Sequence, residues 1–271
     1  MNRVSAFLTV AGSDPSGGAG IQADLKTASA LGVYAGAVLT SLTVQNTQGV
    51  FGVHQVPAGF VADQLVAVLD DLEVRAVKIG MLGTAEVAHT VADVLLARAE
   101  PPQVVLDPVM VSTSGHRLVD DDTVIAIRNR LLPLADVVTP NIPEAATLLG
   151  LPVVTDLAAA GGELRTLGAR AALVKGGHGD GPTSTDVLVD ARGVLELAAP
   201  RINTPHTHGT GCTLSSAVGA LLVRGLPLRT ALREAKAYLT AAMRAGATVR
   251  VGHGCGPVDH LYAWSADGAP S

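Results

Sequence analysis

Cysteine is nearly missing from this sequence, with two in 271 residues, Cys212 and Cys255. That excludes a disulfide-stapled scaffold. The two form no CxxC pair, and the nearby His206 and His208 complete no zinc-ligand spacing. Thiols this sparse read as reduced and point to the cytoplasm. Aromatic residues are scarce at 3%, and the net charge is −5 with a pI near 5.9. The chain therefore offers neither the basic field nor the stacking platforms that nucleic acid requires, and the expected partner is a small molecule. No apolar run is long enough to span a bilayer without meeting a charge, a proline or clustered glycines, so no membrane role is expected. The opening MNRVSAFLTVAGSDP imitates a signal peptide, but its apolar run covers only Val4 to Ala11 before Asp14 arrives. A run of that length suits a buried first strand. G-x-x-x-x-G-K-[ST] is also missing, so any nucleotide chemistry is not of the P-loop kind.

What is present is apolar substance. Hydrophobic residues make up 48% of the chain, enough for one large domain over residues 1–271 with a buried core. Apolar β-branched runs alternate with Ala/Leu-rich helical stretches: VSAFLTVAG, IQADLKTASALG, YAGAVLTSLTV, GFVADQLVAVLDDL, VRAVKIG, AEVAHTVADVLLARA and QVVLDP. Such alternation implies βαβ crossovers and a mainly parallel sheet covered on both faces, a three-layer α/β/α sandwich. Further helices are expected around Thr123 to Leu132, after Asn141, around Thr213 to Val223 and around Leu228 to Ala245, with strands at Asp136 to Thr139 and Ala171 to Lys175. DVLVDARGVLEL, turning at Ala191 to Gly193, reads as a hairpin that makes a small part of the sheet antiparallel. The Gly/Pro-rich segment after Gly252 reads as an irregular surface tail. In open α/β sheets ligands gather at the carboxyl ends of strands, so the residues just after each strand matter most.

Gly18, Gly20 and Ala23 satisfy G-x-G-x-x-[GA]. Two details count against a dinucleotide site. SDPSG separates the fingerprint from the strand, and no acidic residue lies between Asp24 and Asp63 to hold a ribose hydroxyl. GSDPSGGAG is then either a flexible turn or a loop that lets backbone approach a flat substrate, with Asp24 one helical turn on and facing the same mouth.

HGTGCTLSSA holds a second glycine turn, at Gly209, Thr210 and Gly211, entering a helix. Its first amides lack intrahelical partners and the helix dipole adds partial positive charge, so the end forms an anion hole suited to a phosphoryl transition state. The same dipole is expected to lower the pKa of Cys212 and make thiolate available. The alternative is a small cysteine packed beside Ser215 and Ala217.

GSDPSGGAGIQADLK, VQNTQGV, VKIGML, DPVMVSTSG, TPNIPEA, VKGGH and THGTGCTLSSA, in this order from about Val10 to Lys236, resemble the hydroxymethylpyrimidine and phosphomethylpyrimidine kinases of thiamine biosynthesis. Linked motifs over most of a chain are far more specific than any one of them. The resemblance implies the ribokinase-like fold, although relatives in that superfamily mostly carry aspartate where Cys212 stands. It implies ATP-dependent phosphorylation of 4-amino-5-hydroxymethyl-2-methylpyrimidine, then of its monophosphate, with ATP and Mg2+ and as a homodimer. Carried over by motif, Gly12, Ala19, Asp24, Gln45, Met81, Val109 and Cys212 form the pyrimidine pocket. Gly209, Thr210 and Gly211 hold the transferred phosphoryl group, and Cys212 acts as base or orients the alcohol.

Gln45 suits an aminopyrimidine edge because its amide both donates and accepts. The resemblance puts Asp107 and Glu144 on the magnesium side and Asn141, Lys175 and Lys236 on the phosphates. Lys175 stands at a strand end, which supports its role, but the others have a plainer reading. Asn141 with Glu144 has the pattern of a helix cap, Asp107 before Pro108 is a common strand exit, Met81 suits core, and Lys236 suits a solvated helix face. The acids at 120–122 read as a helix start, and His178, His206 and His208 as loop histidines without metal. QNTQGVFGVHQV has the glycines and short strands that a mobile flap needs. A pyridoxal kinase of the same superfamily and a binding module without transfer are the competing readings.

Overall fold

The computed structural model describes residues 4–111, 118–177 and 181–265. Its centre is a nine-stranded sheet in the order β3-β2-β1-β4-β5-β6-β7-β8-β9. β1 (Ala6–Ser13), β2 (Tyr34–Asn46), β4 (Val74–Ile79), β5 (Gln103–Leu106), β6 (Val137–Val138) and β7 (Ala172–Val174) are parallel. β3 (Gly49–Gln55) pairs antiparallel with β2 at one edge, and β8 (Thr183–Asp190) and β9 (Gly193–Pro200) close the other edge as a hairpin. β1 is buried on both faces, which is why its sequence is an apolar run rather than an alternation. Phe7 belongs to the core on one side, and Leu8 and Val10 to the core on the other.

The helices sort by which core they seal. α1 (Gly20–Ala30), α7 (Thr210–Val223) and α8 (Leu228–Gly246) cover the Phe7 face. α2 (Ala58–Asp71), α3 (Ala85–Leu96), α4 (Asp121–Ala126), α5 (Ile142–Leu149) and α6 (Leu157–Thr166) cover the Leu8 face, and α9 (Tyr262–Ser265) is a last short turn. This is the expected three-layer sandwich. α7 is buried from Thr213 to Val223 because it lies between the sheet and its neighbours α1 and α8. A helix apolar all round is stable only in such a position.

Three local expectations change. The helix expected over 123–132 is shorter: after α4 the backbone widens into a π turn at 127–131 and tightens into a 3-10 turn at 132–134 around Pro133, whose ring cannot donate. The glycine turn begins α7 at Thr210, three residues before the expected start. The tail is not simply surface. Val258 and His260 are buried against α7 and α8, the Gly256 carbonyl accepts from His208 N at 3.1 Å, and the amides of His253 and Gly254 donate to Thr47 Oγ1 at 3.3 and 3.1 Å. This strap thus joins the turn of the β2–β3 hairpin to the segment that enters α7. His178, and the 112–115 part of DPVMVSTSG, lie outside the described residues.

His260 carries a pH signature. Burial and then the charge of Lys26 push it down to about 4, and its Nε2 lies 3.0 Å from Thr213 Oγ1. Between that value and about 6.5 the unfolded chain binds a proton that the folded chain refuses, so stability rises with pH across this window and is complete above it. Denaturant midpoints measured from pH 4 to 7 should show this slope in the native protein and a shallower one in His260→Gln.

Candidate active site

The carboxyl ends of the parallel strands open into a cleft of about 790 Å3. Gly12, near the end of β1, and Met81, Asp107, Asn141 and Lys175, each just after a strand, line it together with Ala19, Gln45, Val109, Glu144, Gly209, Thr210, Gly211, Cys212 and Lys236. One expected pocket residue is elsewhere. Asp24 lies one turn into α1, fully buried beneath the cleft, where both its oxygens take Lys78 Nζ at 3.0 and 2.9 Å. Thr9 Oγ1 and Ser216 Oγ donate to it at 2.6 and 2.7 Å. Its lone pairs are used, and it faces inward because a lysine within the apolar strand VRAVKI needs a counter-charge.

The turn before α7 has the geometry an anion needs. Gly209 has φ +78°, and a side chain there would meet the Gly18 carbonyl at 1.9 Å, so only glycine fits. Thr210 N–H is taken by the Thr207 carbonyl at 3.3 Å, and the first intrahelical bond runs from Thr213 N to the Gly209 carbonyl at 2.8 Å. Between them, the amides of Gly211 and Cys212 meet no acceptor among the described residues. The mouth faces the acidic strand tip: a Cβ at Gly211 would lie 3.3 Å from Lys175 Nζ and 3.6 Å from Asp107 Oδ2.

Asp107 is almost fully buried. Lys175 Nζ donates to it at 3.0 Å and Ser215 Oγ at 3.1 Å, which ties α7 to the end of β5. Burial alone would raise its pKa, but the charges of Lys175 and Lys78 outweigh that and hold it below the usual carboxylate range. Lys175 is raised in return despite its burial, by Asp107 and Glu144. Glu144 goes the other way. Burial, aided by the like charge of Asp107, lifts it to about 7 although Lys175 opposes the shift.

The cap reading of Glu144 and Asn141 is also present, since Asn141 N donates to Glu144 Oε2 at 2.8 Å and Glu144 N to Asn141 Oδ1 at 2.9 Å. Capping and a place in the cleft therefore coexist. Lys236 is not on a solvated face: it is 9% exposed, and its Nζ donates to Asp186 Oδ2 at 2.7 Å and Ser184 Oγ at 3.3 Å. For a divalent cation the donor set is all oxygen, from Asp107 and Glu144. Among the described residues no three His, Cys, Asp or Glu side chains form a cage. That chemistry fits magnesium, which accepts one or two carboxylates and fills its shell with water and phosphate.

Cys212 overturns the expected pKa. Burial raises the thiol to about 11, the charge of Lys78 lowers it only in part, and Asp24 and Asp107 push it further up. The dipole at a helix start is too small to offset burial beside two carboxylates.

Four residues of the cleft and its floor carried no site role in the sequence reading, His208 among them as a plain loop histidine. Asp14 and His208 pair at 2.8 Å in the cleft wall, Asp186 holds Lys236, and Lys78 holds Asp24. A charged residue inside an apolar run was the available signal for Lys78. For Asp14 it was the acid in GSDPSGGAG.

A mixed sheet with helices on both faces, a glycine turn opening a buried helix, and a carboxylate and lysine beside that turn define a small-molecule kinase with the ribokinase-like fold. Residues 14–259 match the family model described as phosphomethylpyrimidine kinase, and the chain belongs to that family. It is 49% identical over 263 residues, 96% of this chain and 98% of the other, to the hydroxymethylpyrimidine/phosphomethylpyrimidine kinase of Rhizobium meliloti strain 1021. A crystal structure of phosphomethylpyrimidine kinase from Clostridium difficile 630 is similar at 40% identity and TM-score 0.77, covering 88% of this chain and 98% of that one. The ADP complex of Bacillus subtilis pyridoxal kinase is similar at 33% identity and TM-score 0.88, covering 97% of this chain and 100% of that one. No helix among the described residues is long and apolar enough to cross a membrane.

Proposed function

We propose that this chain transfers the γ-phosphoryl group of ATP to 4-amino-5-hydroxymethyl-2-methylpyrimidine, and then to the monophosphate so formed, as a step of thiamine biosynthesis. The observation that carries the reading is the pair of amides at Gly211 and Cys212, left without an acceptor among the described residues, on a turn whose Gly211 lies beside Lys175 and Asp107. In a loose phosphoryl transition state, charge gathers on the equatorial oxygens, where fixed donors stabilise it without reorganising.

The pyrimidine lies against Gly12, Ala19, Met81 and Val109, with its hydroxymethyl group towards Cys212. Thr43 Oγ1 donates to Gln45 Oε1 at 3.0 Å. His208 Nε2 is 3.4 Å from Gln45 Nε2, but a nitrogen that donates to Asp14 cannot also accept, so the Gln45 NH2 is left to meet a ring nitrogen. Lys175 and Lys236 are point charges for the phosphates, and Asn141 keeps its NH2 for them because its oxygen serves the cap. Asp107 and Glu144 would hold magnesium, which when bound neutralises ATP oxygens. With its thiol raised well above the ordinary value by burial and by Asp24 and Asp107, Cys212 is suited to orient the alcohol rather than to take its proton.

ADP release coupled to product detection tests the reading, with the pyrimidine alcohol, its monophosphate and pyridoxal as acceptors. Transfer to both pyrimidines, with a kcat/KM at least about tenfold above that for pyridoxal, is the expected result. A reversed preference would make the chain a pyridoxal kinase, a reading favoured by its likeness to the Bacillus subtilis structure. Binding without ADP release would make it a sensor. A cytoplasmic homodimer completes the proposal, to be checked by sedimentation and cell fractionation.

A further inference from the structure

The loop GSDPSGGAG and the turn HGTGC come from opposite ends of the chain, yet their backbones touch. A Cβ on Gly209 would lie 1.9 Å from the Gly18 carbonyl, and one on Gly18 would lie 2.4 Å from His208 Cδ2. One buried carboxylate sits at that contact. Asp14 is 2% exposed, and its Oδ1 accepts from Ser16 N at 2.9 Å and Ser16 Oγ at 2.7 Å. Its Oδ2 accepts from Gly18 N at 3.2 Å, Ala19 N at 2.9 Å and His208 Nε2 at 2.8 Å. The main-chain bonds shape the loop that carries Ala19. The His208 bond is different, because it reaches across to the residue just before Gly209.

We propose that Asp14, acting through His208, is a positioning residue that sets the distance between the acceptor loop and the amides that hold the phosphoryl group. The inference rests on the kinase reading above and adds a part to it. In-line transfer needs the alcohol oxygen within near-attack distance of phosphorus, and a displacement of about 1 Å can lower the rate about 100-fold. Neither partner needs to touch ATP for this. Asp14 fixes the loop through backbone amides, His208 fixes the turn through its place in the chain, and their bond ties the two together at the cleft wall, above the Ser216–Asp24 bond that joins α7 to α1 beneath it. His208 is itself held from behind, where its amide donates to the Gly256 carbonyl at 3.1 Å. When the bond is cut, the substrate pocket and the anion hole each survive while their mutual placement loosens.

The test measures kcat, both KM values and the ratio of ADP released to pyrimidine phosphate formed, in wild type, Asp14→Asn, His208→Ala and His208→Gln. In His208→Ala, kcat should fall about 100-fold while KM for ATP stays within about threefold. The ADP ratio should rise above one as water takes phosphoryl groups that the alcohol no longer reaches. His208→Gln, whose terminal NH2 can donate to Asp14, should recover at least about tenfold of that loss. Asp14→Asn should lose at least as much as His208→Ala, since it also disturbs the acceptors of Gly18 N and Ala19 N, and the double variant should be no worse than Asp14→Asn because the His208 contact is already cut.

A His208→Ala enzyme with kcat within about threefold of wild type would overturn the proposal. So would a Gln variant no better than Ala, or losses spread equally over kcat and ATP affinity. Should Asp14→Asn fail to fold, the Ala and Gln variants at 208 decide alone. A wild type that transfers to pyridoxal and not to the pyrimidine strikes the substrate reading instead, and the same variants are then compared with pyridoxal.

Discussion

Cys212→Ala should lose about 100-fold in kcat with KM for ATP nearly unchanged, and Cys212→Ser should recover most of that loss. The expectation follows from the state of the thiol. Held near 11 by burial and by the carboxylates of Asp24 and Asp107, it is a neutral group at working pH. A neutral side chain can hold the acceptor hydroxyl in line but cannot take its proton, and serine can do the same. In a loose transition state the attacking oxygen is barely bonded to phosphorus, so its proton can leave late. The pH profile separates the two roles. Orientation gives a kcat that is flat from about pH 7 to 9, whereas an obligatory thiolate makes it climb about tenfold per unit. Iodoacetamide labelling of Cys212, followed by peptide mass spectrometry, should itself climb about tenfold per unit over that range, because the thiolate is what reacts. A serine variant as slow as alanine, together with a climbing kcat, would return the sulfur to the role of base.

Lys78→Met should cost about 3–5 kcal/mol of folding stability, one of the largest single-residue effects in the chain. Lys78 and Asp24 are both fully buried and paired at 2.9 Å. Removing the lysine leaves Asp24 with only two hydroxyl donors, from Thr9 and Ser216, in a place water does not reach. The carboxylate must then protonate or strain the packing of α1 and α7. A fall in Tm of roughly 10 °C, read by calorimetry at pH 7, is the expected size. Lys78→Met with Asp24→Asn should lose less than the sum of the single changes, since no orphaned charge remains. If the two single losses simply add, the pair is not acting as a unit. Ser216 lies one helical turn beyond Cys212, so the single variant should also disturb the anion hole, whereas the double variant restores a neutral floor beneath it.

The layers of the fold were legible because the parallel strands are buried on both faces and therefore read as apolar runs, while the edge hairpin β8–β9 carries its turn in ARG. α6 was not. Its sequence LAAAGGELRT holds two adjacent glycines, each costing a helix about 1 kcal/mol. Packing overrides that cost, for a Cβ at Gly161 would meet Val189 Cγ2 at 2.6 Å, so the glycine is what lets α6 lie on β8. At the cleft, residues that follow strands were found from their motifs, because a strand end fixes where the next residues stand. Asp24 was misplaced because periodicity tells which turn of a helix a residue occupies but not whether a buried lysine waits opposite. The Asp14–His208 bond spans 194 positions, and nothing local in either segment announces the other.

The strap over residues 252–258 has a consequence for how the molecule is made. The carbonyl that steadies His208 and the two amides that hold Thr47 belong to this late segment. A chain growing on the ribosome can assemble the sheet from β1 to β7 well before these residues emerge. Until they do, the turn of the β2–β3 hairpin and the segment entering α7 lack the bonds that join them, so the site is complete only once residues 252–258 are in place.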